Sequence, residues 1–109
     1  MTVTVKNLIP AKFAENTQTG QYSTVNLRAV IDKFSATNNG SAAVLFSVNI
    51  YNSSVATSNR IINQRSIMPG ETYNCPELVG QVLENGYTLS TLCDTASALT
   101  IAASGREIV

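Results

Sequence analysis

The chain has 109 residues, enough for one domain with a single core that folds without a metal or a disulfide. Seven Lys and Arg balance seven Asp and Glu, there is no histidine, and charged residues are only 13%, against roughly 25% in an average protein. This argues against a basic face for nucleic acid, removes Ser-His and Cys-His relays and His-based metal sites, and no apolar run approaches the roughly 18 to 20 residues of a membrane helix.

Thr2 to Ile9 alternates, with Val3 and Val5 on one face and Thr2, Thr4 and Lys6 on the other, until Pro10 interrupts the ladder. The pattern predicts a short edge strand. It lacks the basic-then-apolar layout of a signal peptide, so the protein is expected to stay where it is made unless a leader has already been removed. Glu15 to Ser23 is polar, contains Gly20 and shows little periodicity, which predicts a loop or arm ordered by a neighbour. Residues 1–24 therefore read as an N-terminal strand and polar arm, and residues 25–109 as a sandwich domain. On this reading, removing residues 1–20 would leave the sandwich folded.

The main β-signal lies in Asn26 to Tyr51. Ala42, Val44, Phe46, Val48 and Ile50 recur at every second residue, and before the turn Val30, Phe34 and Ala36 share one parity, with Asp32 as the exception. A half-buried hairpin around Asn39-Gly40 would match Phe34 with Phe46 and Val30 with Ile50 if its loop held three or five residues. If the two strands instead face each other across the sandwich, register places no constraint on the turn.

Asn52 to Asn59 is a polar connection, and Arg60 to Ile67 is a further strand with Ile62 inward and Arg60 and Gln64 outward. Met68-Pro69-Gly70-Glu71 has the chemistry of a type II turn, with Pro presetting φ and Gly supplying its positive value. Asn74, Pro76 and Glu77 have helix-start spacing and predict one short helical turn near residues 75–83, docked by Leu78, Val79 and Val82. Asn85-Gly86 is a hairpin signal, and Tyr87 to Cys93 and Ala98 to Ser104 are the last strands, with Gly105 breaking the second before a short tail. The fold class expected is all-β: a single-domain antiparallel β-sandwich of about seven strands.

Residues with chemical potential are scattered. Glu15, Asp32, Glu71, Glu77, Glu84, Asp94 and Glu107 are far apart and read as solvated loop acids and caps, though two could converge as a carboxylate pair. Asp32 interrupts an apolar face and is expected to pair with Arg28 or Lys33, to mark a subunit contact, or to lie at the sheet rim. Tyr22, Tyr51, Tyr73 and Tyr87 suit core-rim packing, interface anchors or a sugar platform. Cys75 and Cys93 have no zinc-type spacing and are expected to be reduced, with a bridge still open geometrically. No catalytic, cofactor-binding or metal-ligating residue is singled out.

The strand ending in Met68-Pro69-Gly70-Glu71, the Pro-Glu-Leu-Val-Gly step from Pro76, Leu83-Glu84-Asn85-Gly86-Tyr87, and the final Ala-Leu-Thr-Ile-Ala-Ala-Ser-Gly-Arg-Glu-Ile resemble small accessory virion proteins of tailed bacteriophages. Ala29 to Asn38, followed by a Val-rich strand, fits the same pattern, so the resemblance spans roughly residues 25–109. It implies a non-enzymatic structural virion protein, assembled in the bacterial host cytoplasm as a homo-oligomer. Such a protein sits on the capsid as decoration or rings the neck or collar, and its partners are capsid, portal, neck or tail proteins, with no cofactor, nucleic acid or membrane. The alternative expectation is a carbohydrate-binding or host-adhesion module, in which Tyr51, Tyr73 or Tyr87 would cluster outward.

Overall fold

In the computed structural model, which describes residues 1–109, the period-two segments form strands of two antiparallel sheets. The strands are β1 (Val3–Phe13), β2 (Thr19–Ser23), β3 (Arg28–Asn38), β4 (Val44–Tyr51), β5 (Arg60–Ile67), β6 (Thr72–Tyr73), β7 (Val82–Leu83), β8 (Thr88–Cys93) and β9 (Leu99–Ile108). The first sheet has the order β1-β9-β3, with β6 and β7 on two stretches of the far side of β3; the second has the order β2-β8-β4-β5. Counting β6 and β7 as one interrupted edge, this is the eight-stranded order of a jelly roll. The expected all-β sandwich is thus the observed fold.

The apolar alternation of β4 places Val44, Phe46 and Val48 in the core, and Phe34 of β3 meets Phe46 there with ring centroids 6.2 Å apart and planes tilted by 40°. The two strands do not form the hairpin; they belong to opposite sheets and face each other across the interior. Burial of such apolar side chains, at roughly 25 cal/mol per Å2, is the main force closing the two layers.

Parity on β3 changes midway. Ile31 pairs with Gly105 and Lys33 with Ser104, leaving Asp32 as the extra residue of a bulge. Ala29 and Ile31 therefore face inward before the bulge and Phe34 and Ala36 after it, so Val30 lies on the outer face and not with Phe34. Gly105 does not break β9, which runs through it to Ile108.

Residues 1–24 are not a separate arm. β1 pairs with β9, β2 pairs with β8, and Leu8, Ile9 and Ala14 are core residues. Removing residues 1–20 would open the core, contrary to the expectation from composition. Pro10 does not end β1; as an edge residue it needs no ladder donor and falls within the second of two register shifts, Lys6/Ile9 and Ile9/Lys12.

The helical turn expected near 75–83 is absent, and the one helical element is a 3-10 turn at Thr57–Asn59. Cys75 adopts φ 46° and Gly80 φ 86°, which wraps the segment into successive tight turns, Leu78 N–H to Cys75 C=O and Gln81 N–H to Leu78 C=O. Its remaining backbone bonds go to the β3 bulge: Gly80 N–H donates to Ile31 C=O (2.7 Å) and Ile31 N–H to Gln81 C=O (3.0 Å). The Met68–Glu71 turn is as expected, with Gly70 at φ 78° and Glu71 N–H bonded to Met68 C=O. Asn85-Gly86 also makes a turn, but between β7 and β8 of different sheets, so it is a crossover and not a hairpin.

Candidate functional site

Most of the acids expected as loop residues have a local role; the Glu84 carboxylate has no partner. Glu71 Oε1 accepts the Met68 N–H, Asp94 Oδ1 the Leu45 N–H, and Glu15 accepts from Lys12 and Gln21. Those two bonds, Gln21 foremost, hold the Glu15 carboxyl below its usual range. Glu107 accepts the Tyr22 hydroxyl at 2.5 Å and lies 3.7 Å from Lys6 Nζ. Burial first, and this carboxylate second, push the Tyr22 phenol well up.

Asp32 pairs with neither Arg28 nor Lys33. The bulge turns it outward from a central strand, where Arg106 grips it through both Nε (3.0 Å) and Nη2 (2.9 Å). Both partners remain half in water, so solvent screens the pair and it adds little to stability. No local pattern points to this partner, because Arg106 reaches Asp32 only through the β3–β9 ladder.

The tyrosines do not gather into one outward platform. Tyr73 is 8% exposed, donates to both carboxylate oxygens of Glu77 and lies under Arg65, whose guanidinium carbon is 4.2 Å from the ring centroid. Burial, then Glu77, pushes its pKa up to about 12. Tyr51 pairs with Thr88, the residue after Tyr87, while Tyr87 itself packs against the core. Cys75 and Cys93 are buried free thiols. Burial is the main cause that raises both, Cys75 to about 12.

The surface depressions hold about 260, 200 and 240 Å3, below the ~300–1,000 Å3 of typical ligand clefts. A different feature stands out: the N-terminal half of β1 and the outer face beside it. Val5, Arg106, Val30 and Val82 lie in one row across four strands, and Val3, Ile108 and Arg28 in the next. Val5 is 84% exposed, Val3 50% and Val82 46%, so an apolar surface surrounds the Arg106–Asp32 pair.

The edge itself is open there. Thr2 and Val109 exchange both backbone hydrogen bonds at 2.9 Å, and Thr4 and Lys6 follow in register with Glu107 and Gly105. By antiparallel alternation, Val3 and Val5 therefore direct their own N–H and C=O groups away from β9, into solvent. The other edges carry devices that resist strand addition. β6 and β7 have two residues each, β2 has five and a register shift, and β5 is kinked by Gln64 at φ 49° and carries Arg60 and Arg65. The C-terminal half of β1 has Pro10, Lys12 and two bulges. Val3 to Val5 has none of these.

Comparison of the chain with protein-family models, curated proteins and solved structures finds no match.

Proposed function

We propose that this chain is a non-enzymatic structural protein of a tailed-bacteriophage particle, built into the capsid surface as decoration or into the neck or collar. The observation that carries the reading is the unguarded β1 edge, with exposed valines beside it on a rigid sandwich. An open edge supplies main-chain donors and acceptors to a partner strand, and the valines supply apolar area at the same place. A surface with few charges also costs less to desolvate against a neighbouring protein.

The jelly-roll order is compatible with this reading without deciding it, since such folds serve viral capsid proteins and lectins alike. The sequence resemblance over residues 25–109 favours the virion. Partners are then other virion proteins, met during assembly in the bacterial cytoplasm, and individually modest contacts gain strength by repetition in a symmetric ring or lattice.

The test is mass spectrometry and cryo-electron microscopy of particles purified from cells that produce this chain. The expected result is the protein in many symmetric copies per particle, with density for both sheets. Particles free of it, together with selective binding on a glycan array, would replace this reading with the adhesion module.

A further inference from the structure

We propose that β1 is a self-association strand: two copies of this chain pair antiparallel along Met1 to Asn7, about a two-fold axis between Thr4 and its counterpart. The proposal rests on the assembly reading of the edge and names its partner as a second copy of this chain.

Parity restricts the possible pairings. Only Val3 and Val5, with Met1 and Asn7 in the same phase, aim backbone groups outward, so these residues must form the hydrogen-bonded pairs of any added strand. Centring the axis on Thr4 sets Val3 opposite Val5 of the other copy and Val5 opposite its Val3. Met1 then faces Asn7, and Thr2 faces Lys6. This register uses the whole bulge-free stretch and stops where the Lys6/Ile9 shift bends the strand away.

Side-chain chemistry agrees on both faces. On the outer face the four valines of the two copies meet, a favourable β-branched cross-strand set. On the other face, Thr4 meets Thr4 at the close, non-hydrogen-bonded spacing. Lys6, the one charged side chain in the stretch, meets Thr2 and is already near its own Glu107. No like-charged side chains are opposed, so the edge is complementary to itself.

The product is one sheet continuous through both subunits. A strand pair of this length buries less than the ~1,200–2,000 Å2 of a standard interface, so the isolated dimer is weak and an array of them is strong.

The experiment combines sedimentation velocity over a wide concentration range with site-specific cross-linking. Wild-type protein should pass reversibly from monomer to dimer, and Val5→Lys should weaken dimerisation by roughly tenfold or more while leaving the circular dichroism spectrum and melting curve unchanged. Thr4→Cys should oxidise to a covalent dimer, because the Cα atoms of a non-hydrogen-bonded pair lie ~4.5 Å apart, inside the disulfide range. Thr2→Cys should remain uncross-linked. The native thiols are buried and do not interfere.

A monomer at all concentrations with no Thr4→Cys dimer overturns the proposal, as does a Thr2→Cys dimer in place of the Thr4→Cys one. Its failure is separable from failure of the virion reading: a monomeric protein whose Val5→Lys variant is still lost from particles would refute self-pairing and retain assembly through the edge.

Discussion

Gly105 lies so close to Val30 that a Cβ placed on it would sit 2.0 Å from the Val30 carbonyl oxygen and 3.0 Å from Leu8 Cδ1. It stands between two bulges, at Asp32 on β3 and near Asn7 and Leu8 on β1, which lean toward it from either side. The backbone atom cannot swing away as a side chain could. Gly105→Ala should therefore destabilise the protein by about 3 kcal/mol or more, measured by urea unfolding. An unchanged midpoint would mean that the bulges are not packed as described.

The aromatic pair in the interior should behave as a coupled unit. Phe46→Ala is expected to cost about 3–5 kcal/mol. A double-mutant cycle with Phe34→Ala should return a coupling of about 0.5–1.5 kcal/mol beyond the area term. Additive losses would show that the two rings contribute to the core independently.

Asn38 ties one tip of the sandwich together. Its Nδ2 donates to the carbonyls of Ala42 and Ile67 and its Oδ1 accepts the Gly40 N–H, each at 2.8 Å, from a fully buried position. Asn38→Ala leaves these groups without partners and should cost about 1–3 kcal/mol in chemical unfolding. Asn39→Ala, a neighbouring exposed residue, should cost less than half as much.

Much of this architecture was legible in the sequence where pairing is regular. The β4 alternation predicted Val44, Phe46 and Val48 inward, and Pro69-Gly70 predicted its turn. On β3 the charged Asp32 marks an interruption of the apolar parity, but that the interruption is a bulge depends on Gly105 in a distant strand, which local pattern does not show. β2 reads as an arm from sequence because it is a polar edge; its order comes from contacts such as Gln21 to Thr91 and, just before the strand, Gln18 to Ser90. The Val3 and Val5 alternation was visible from the start. That theirs is the edge left open could be seen only once the guards on every other edge were placed by the topology.

Acid should weaken the fold partly through Glu15. Its carboxyl is lowered from 4.5 by Gln21 and Lys12, so its contribution is complete above that value and is lost as pH falls through the lower folded value. Glu15→Gln should flatten the decline in melting temperature below pH 4.5 relative to wild type. An identical acid limb in both proteins would contradict the assignment.

The thiols give an opposite limb. Cys75 is raised from 9.0 to about 12, so its contribution is complete below the lower value and fades as pH rises toward the upper one. At pH 8 a thiol reagent should label neither cysteine in native protein and both in urea. Rapid native labelling would place one of them at the surface.

The mutual hydrogen bonds of Thr2 and Val109 make the first strand of the sandwich wait for its ninth. Until β9 emerges, β1 has no neighbour on either side, and its valines are open to any nascent chain nearby. Closure of this sheet thus comes late in folding of the domain, and a polysome crowded with these chains offers mispairing its best opportunity just before that moment.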